Sequence, residues 1–245
     1  MLSPTSSGTT PTGTENEQQA ATWVRGMFGR IAPRYDLLNH LLSMNIDKYW
    51  RARTVKLVSS VLAKPGARVL DVACGTGDLM IALAKRGPKA LVLGSDFSHP
   101  MLTAARSKTS LGLFEADALA LPVAEGSFDL VTIAFGFRNL ANYQRGLVEL
   151  GRILKPGGVL AILEFSTPPN ALLAALYGFY SRHVLPKIGG WISGSPEAYT
   201  YLPESVRKFP DAPELAQQMR DAGFQNVRYQ RMTAGIVAVH LGERS

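Results

Sequence analysis

The chain has 245 residues, 46% of them hydrophobic and 18% charged, with a formal net charge of +7 and one cysteine. That length holds one large domain with a substantial core, and the lone Cys74 excludes an intramolecular disulfide. No apolar run is long enough to span a bilayer, and the basic residues are scattered without aromatic interleaving, which argues against a nucleic-acid partner.

Residues 1–20 are rich in Ser, Thr, Gly and Pro and carry no Lys or Arg. They are expected to form a disordered tail rather than a targeting segment, and the chain is expected in the cytoplasm. Residues 21–64 are expected to form a helical cap from helices at Trp23–Ile31, Tyr35–Asn45 and Asp47–Ala63. Lys64-Pro65-Gly66 breaks that pattern. Strands and helices then alternate: strand 68–72, helix 77–86, strand 90–95, helix 99–108 and a short strand at 111–115. A buried strand at 127–135, a helix at 143–154, the turn Lys155-Pro156-Gly157-Gly158 and a strand at 159–165 follow. Such alternation predicts a parallel sheet covered by helices on both faces. Residues 167–210, rich in Pro, Tyr and Gly, interrupt it as an insertion. A helix at 211–222 precedes runs at 224–232 and 235–241, which the short Thr233-Ala234 link forces into an antiparallel hairpin. The domain is expected to run from 21 to 245.

The stretch RVLDVACGTGD, Arg68–Asp78, carries the strongest chemical signal. A buried strand delivers the chain into Gly75-Thr76-Gly77 at a helix start, where a ligand can approach the backbone closely. Asp96 ends the next strand, about 20 residues on, where an acidic side chain can take both hydroxyls of a ribose. No third glycine follows, and Asp71 and Asp78 put negative charge beside the turn. That suits a cationic ligand better than a pyrophosphate. Phe135-Gly136-Phe137-Arg138-Asn139 lies at the end of a buried strand, where ligands of open sheets bind. The fixed fork of Arg138 suits an oxyanion there, against the alternative of a surface ion pair.

LDxxCGTGD resembles the cofactor turn of S-adenosylmethionine-dependent methyltransferases with a Rossmann-like, seven-stranded, mostly parallel sheet. YDLLNHLLSMNIDKYWR, LDVACGTGD, FGFRN, RILKPGG, LEFS and TAGIVAVH occur in that order and together resemble the UbiE/MenG family of quinone C-methyltransferases. The resemblance implies methylation of a polyprenylated quinol, demethylmenaquinol to menaquinol, in menaquinone or ubiquinone biosynthesis. Another ubiquinone precursor or small phenol, or a cofactor-binding scaffold without turnover, are the alternatives. It implies that Asp71, Gly75, Thr76, Gly77, Asp96, Asp117 and Ala118 bind S-adenosylmethionine, with Asp117-Ala118 at the adenine. It points to Arg138, Tyr35 and Asn139 as the catalytic group, with no metal. Arg138 is expected to stabilise a developing phenolate and Tyr35 to relay the proton, with Asp36 and Asn39 orienting it or closing a lid. His183 is the second-choice base.

Four positions depart from the family pattern. Cys74 and Asn45 stand where glycine is usual, and Asn tolerates positive φ. Ala134 replaces a frequent serine, and Phe137 replaces a smaller aliphatic residue and is expected to reshape the quinol pocket. The apolar stretch Leu172–Tyr177 with Phe179-Tyr180, followed by Arg182 and Lys187, is open to two readings, a core helix or a wall for the prenyl tail that touches the membrane surface. A homo-oligomer or a quinone-synthesis complex is a further expected association.

Overall fold

The computed structural model describes residues 8–37, 43–180 and 196–245; Asn39, Arg182, His183 and Lys187 lie outside the described residues. Seven strands form one sheet: β1 (Arg68–Val72), β2 (Leu91–Asp96), β3 (Gly112–Glu115), β4 (Phe128–Ala134), β5 (Leu154–Phe165), β6 (Phe224–Met232) and β7 (Val237–Arg244). Their order is β3-β2-β1-β4-β5-β7-β6. The first five pair in parallel, while β7 lies antiparallel between β5 and β6. The terminal hairpin expected from its short link is therefore present, turned by a single 3₁₀ turn at Thr233–Gly235. Strand order reverses between β1 and β4, which opens a crevice at the C-terminal ends of those two strands.

The helices follow the sequence pattern with shifted ends. They are α1 (Glu17–Ile31), α2 (Ile46–Leu57), α3 (Ser59–Leu62), α4 (Asp78–Arg86), α5 (His99–Arg106), α6 (Tyr143–Ile153), α7 (Ala171–Phe179), α8 (Pro196–Lys208) and α9 (Ala212–Asp221). The first begins well before Trp23, inside the segment expected as tail. Asn16 caps it by accepting the Gln19 N–H, and Ala20 opens the buried stripe continued by Val24, Met27 and Ile31. Upstream, the Thr9 hydroxyl hydrogen-bonds the Tyr201 hydroxyl at 2.7 Å, so chain preceding α1 packs on α8. The helix expected over 47–63 breaks at Val58, and Asn45 starts α2 with φ +62°, the left-handed conformation that Asn tolerates. The Lys155–Gly158 turn is absorbed into β5, at the register shift where β4 and β5 begin to pair.

Period-two alternation sets the two faces of the sheet. Leu70 and Val72 of β1 join the core beneath α6 and α9, whereas Val69 packs with Val55, Leu79 and Leu83 beneath α2 and α4. The cap is held over the strand ends by two apolar clusters. Val24, Met27 and Ile31 meet Met101 and Tyr201, and Trp50 meets Leu163, Met232, Val237 and Val239. Burying such side chains contributes roughly 1.5–3 kcal/mol each, and polar ties such as Arg53 to Gln230 and Arg145 to Glu17 add to them.

Candidate active site

The chain leaves β1 through Ala73 at φ +50° and leaves β4 through Phe135 at φ +57°. Both side-chain-bearing residues hold a strained conformation at the strand switch, where strain usually marks function. The two loops touch so closely that a Cβ on Gly136 would lie 2.6 Å from that of Ala73. Gly75 and Gly77 also take positive φ, at +55° and +88°, and Gly77 leads into α4 without a side-chain cap. Asp71 lies buried beneath the turn and accepts the hydroxyl of Thr132 at 2.5 Å. Burial raises its pKa from 3.8 to about 7 against that hydrogen bond and the nearby charge of Arg51.

Two cavities flank this crevice. The first is lined by Gly75, Asp96, Phe97, Met101, Asp117, Ala118, Ala134, Gly136 and Asn139 among others. Asp96 accepts the Gly75 N–H at 2.9 Å and the Ser98 N–H at 2.8 Å, one on each carboxylate oxygen. It thus has the fixed partners that the sequence does not reveal, and each oxygen keeps a lone pair for a diol. Burial pushes its pKa from 3.8 to about 6 against those two N–H bonds. Asp117 folds one oxygen onto the Leu119 N–H at 2.9 Å, leaving the other without a partner among the described residues. Phe97, Met101, Ala118 and Leu119 give that end flat apolar walls. A diol acceptor, a carboxylate beside an apolar slot and a glycine cradle fringed by acids fit the adenosyl group and cationic sulfur of S-adenosylmethionine.

The second cavity, of about 430 Å³, is apolar and lined by Met27, Ile31, Ile46, Trp50, Phe165, Leu173, Leu176, Tyr177, Leu202 and Ile236. Arg138 reaches it as a buried cation, 6% exposed. Its Nη1 donates to Glu164 at 2.8 Å and to the Phe135 carbonyl at 2.6 Å, and its backbone N–H donates to the same carboxylate. Burial opposes the charge most strongly, but the charge and hydrogen bond of Glu164 together with Tyr201 and Tyr35 outweigh it and keep the guanidinium above its ordinary value. Nε and Nη2 make no hydrogen bond among the described residues, and the guanidinium carbon sits 5.2 Å over the ring of Phe165. The partner of Arg138 is thus a buried carboxylate on β5, not a surface one.

Phe28, Tyr35 and Phe135 line both cavities and form the wall between them. Tyr35 also faces a small third cavity beneath the glycine turn, with Asp71, Thr76 and Asp78. Thr76 is tied to the cap: its hydroxyl donates to Asp36, while Lys108 donates to Asp36 at 2.9 Å, to Thr76 at 3.2 Å and to Asp78. Asp36, expected to orient Tyr35 or close a lid, is bound to the glycine turn through Thr76 and to Lys108.

Other expected site residues are placed differently. Asn139 lines the first cavity, not the second; its side-chain oxygen accepts the Tyr201 hydroxyl at 3.0 Å and its amide donates to the Phe135 carbonyl. Phe137 is fully buried, stacked on Tyr143 and edge-on to Phe209 in the core. It cannot shape the acceptor pocket, because the 3₁₀ turn at Phe137–Asn139 points it into the core while Arg138 faces the cavity. Burial, with Asp71 and Asp96 nearby, pushes the Cys74 thiol well up and leaves it no nucleophilic role. Trp50, Phe165, Glu164 and Thr233 are the site residues missed; the Trp50 indole donates to Thr233 at 2.7 Å and anchors the hairpin tip over the cavity. Their signal lay inside WR, LEFS and TAG, which spacing alone does not distinguish from core. Among the described residues no group of acids, histidines and cysteines is arranged for a metal.

Residues 13–244 match the model of a family described as the ubiE/COQ5 methyltransferase family. The chain is 52% identical over 223 residues to a demethylmenaquinone methyltransferase of Thermus thermophilus, covering 89% of this chain and all of the relative. It is 47% identical to a demethylmenaquinone methyltransferase of Deinococcus radiodurans, over 96% of this chain and 97% of that one. It is 49% identical to a ubiquinone/menaquinone biosynthesis C-methyltransferase of Syntrophotalea carbinolica, over 90% and 94%. In fold it is similar to an S-adenosylmethionine-dependent methyltransferase of Thermotoga maritima described as a possible histamine N-methyltransferase. The TM-score is 0.66 at 20% identity, over 90% of this chain and 99% of that one.

Proposed function

The chain belongs to the ubiE/COQ5 methyltransferase family and is an S-adenosylmethionine-dependent C-methyltransferase, and we propose that its acceptor is demethylmenaquinol, methylated at a ring carbon. The observation that carries this reading is the shared wall. A cofactor cavity and an apolar cavity of about 430 Å³ meet at Tyr35 and Phe135, with the unpaired donors of Arg138 inside the second. The names of the relatives from Thermus and Deinococcus support the naphthoquinol over a ubiquinone precursor.

The cofactor, when bound, supplies a methyl group activated by positive sulfur. Asp96 and Asp117 hold its ribose and adenine, and Gly75, Thr76 and Gly77 cradle the remainder. The aromatic walls from Trp50, Phe135 and Phe165 orient a flat ring and exclude water. Arg138 offers Nε and Nη2 to a ring oxygen and stabilises the phenolate charge that develops as its proton leaves. Tyr35, in the wall itself, relays that proton to water, and the proton lost from the methylated ring carbon as the ring becomes aromatic again leaves by the same route. Asn139 braces the Phe135 turn through Tyr201 and acts as a positioning residue. Neither Cys74 nor His240 takes part; burial lowers the pKa of His240 to about 4 and it hydrogen-bonds the Ala212 carbonyl.

The prenyl tail leaves past α7, where Leu172 is 69% exposed and Leu173 and Leu176 are both exposed and, in part, cavity-lining. Met44, 75% exposed, stands at the same mouth. Among the described residues no helix is long and apolar enough to cross a membrane. These side chains suit a peripheral contact from which a lipid-dissolved quinol enters. Absence of co-sedimentation with anionic liposomes at low salt overturns that contact.

The reaction itself is tested by incubating the protein with S-adenosylmethionine and either reduced demethylmenaquinone or a reduced ubiquinone precursor. Mass spectrometry scores methylated quinone and S-adenosylhomocysteine. Methylation of the naphthoquinol in preference is expected; product from the ubiquinone precursor alone reassigns the acceptor. No product from either, with cofactor bound, removes the quinol reading.

A further inference from the structure

Among the described residues, Arg51 is the one cation lining the small cavity beneath the glycine turn, which also has Asp71, Thr76 and Asp78 in its wall. We propose that Arg51 binds the α-carboxylate of the cofactor's methionine end, an inference that rests on the assignment of S-adenosylmethionine to the neighbouring cavity.

The methionine end carries one negative group beside an ammonium and a sulfonium. Asp71 and Asp78 suit the two cations but repel the carboxylate, so a carboxylate can lie here only against a close positive partner. Among the described residues two cations are near. Lys108 has three N–H bonds and three acceptors already, Asp36, Thr76 and Asp78, and does not line the cavity. Arg51 is committed on one side only. Its Nη1 donates to Asp47 and approaches Asp78 at 3.9 Å, while Nε and Nη2 make no hydrogen bond among the described residues.

The guanidinium is also held in place. Asp47 is itself fixed by the Ser43 hydroxyl at 2.7 Å, and the guanidinium carbon lies 5.9 Å over the Phe135 ring. Two adjacent free donors on a preoriented planar cation match the two oxygens of a carboxylate. Arg51 lines the apolar cavity as well, so the anchor comes from α2 of the cap and stands where cofactor and acceptor spaces join. Cap and sheet therefore close on one ligand from opposite sides.

The test is a comparison of S-adenosylmethionine with decarboxylated S-adenosylmethionine, which lacks only that carboxylate, by calorimetric titration of wild type, Arg51→Gln and Arg51→Lys. Wild type is expected to bind the intact cofactor about 10- to 100-fold more tightly than the decarboxylated one, the range for a charged hydrogen-bonded pair. In Arg51→Gln the ratio falls toward one because the intact cofactor weakens, while the decarboxylated ligand stays within about threefold of wild type. Arg51→Lys keeps the charge without the fork and gives an intermediate ratio. A ratio unchanged in Arg51→Gln, or parallel loss of both ligands in both variants, overturns the proposal. Failure of wild type to bind either ligand overturns the cofactor assignment beneath it.

Discussion

The two cavities that meet at Tyr35 and Phe135 are built by opposite means. The side proposed for the cofactor is made at the strand ends: backbone N–H groups of Gly75 and Ser98 fix Asp96, and the Thr132 hydroxyl fixes Asp71. Its polar groups are preorganised by the sheet, so binding a cation there requires little rearrangement. The side proposed for the acceptor is made from the helix pairs α1–α2 and α7–α8 and from the hairpin tip, three parts of the chain far apart in sequence. Its polarity is concentrated in Arg138, Arg51 and Asp47, and its shape depends on apolar docking of separate elements. One side binds by fixed charge and the other by packing, so substitutions should separate cofactor affinity from acceptor turnover.

The largest separation is expected at Arg138. Arg138→Gln should cut kcat by about 10²- to 10³-fold, the range for loss of a preorganised oxyanion donor, with cofactor affinity little changed. It should also lower stability by about 3–5 kcal/mol, because Glu164 is left buried and unpaired. The double variant Arg138→Gln/Glu164→Gln should recover much of the thermal stability and none of the turnover. Recovery of both would make Arg138 a structural ion pair. Tyr35→Phe should lower kcat by about 10²-fold at unchanged cofactor affinity, and unchanged turnover removes Tyr35 from the proton relay. On the other side of the wall, Asp96→Asn should weaken the cofactor by about 10- to 100-fold in titration, with kcat at saturating cofactor much less affected.

Acid should act on the cofactor side with opposite signs on affinity and stability. Buried His240, which stays neutral down to about 4 against 6.5 in an unfolded chain, costs stability as pH falls through that interval and opposes the gain from the carboxyls of Asp71 and Asp96. The carboxyls of Asp71 and Asp96 titrate near about 7 and about 6, against 3.8 in an unfolded chain. The folded protein therefore holds protons that the unfolded chain releases, and these two groups contribute stability that is full below about pH 4 and lost as pH rises through 6 to 7. A cationic ligand prefers the ionised carboxylates, so cofactor affinity should rise through that same window. Below pH 6 it should drop by up to about tenfold per unit. Melting of the ligand-free protein and cofactor titration between pH 5 and 8 check both signs; Asp71→Asn should flatten the stability change.

How much of this was legible in the sequence follows the same division. Apolar runs gave the parallel strands, and the short link before Ile236 dictated the antiparallel hairpin. The glycine turn and Asp96 point from sequence to the side proposed for the cofactor, because a tight turn and a strand-end carboxylate are local requirements. The acceptor side is a matter of tertiary placement. Trp50 is at once core and cavity wall, so its spacing could not reveal the second role. Glu164 sits in an apolar run, where nothing local names Arg138 as its partner. The early start of α1 was hidden because Asn16 and Ala20 lie in a segment of tail-like composition.

Phe137 offers the smallest and sharpest test, since sequence and structure disagree about it. Its neighbour Arg138 lines the apolar cavity, and a change of size one residue away reads naturally as a change of pocket. A 3₁₀ turn, however, spreads successive side chains by about a third of a revolution, so adjacent residues look in different directions. Phe137 meets Tyr143 and Phe209 instead, with ring centroids 5.6 and 6.2 Å away. Phe137→Leu should therefore cost about 1–2 kcal/mol of stability, a partial cavity in a packed core, and leave the preference between naphthoquinol and benzoquinol acceptors unchanged. Arg138 shares the same turn, so a small common fall in kcat for both acceptors is compatible with a disturbed backbone. Only a shift in the ratio of the two kcat/KM values would put Phe137 back in the acceptor pocket.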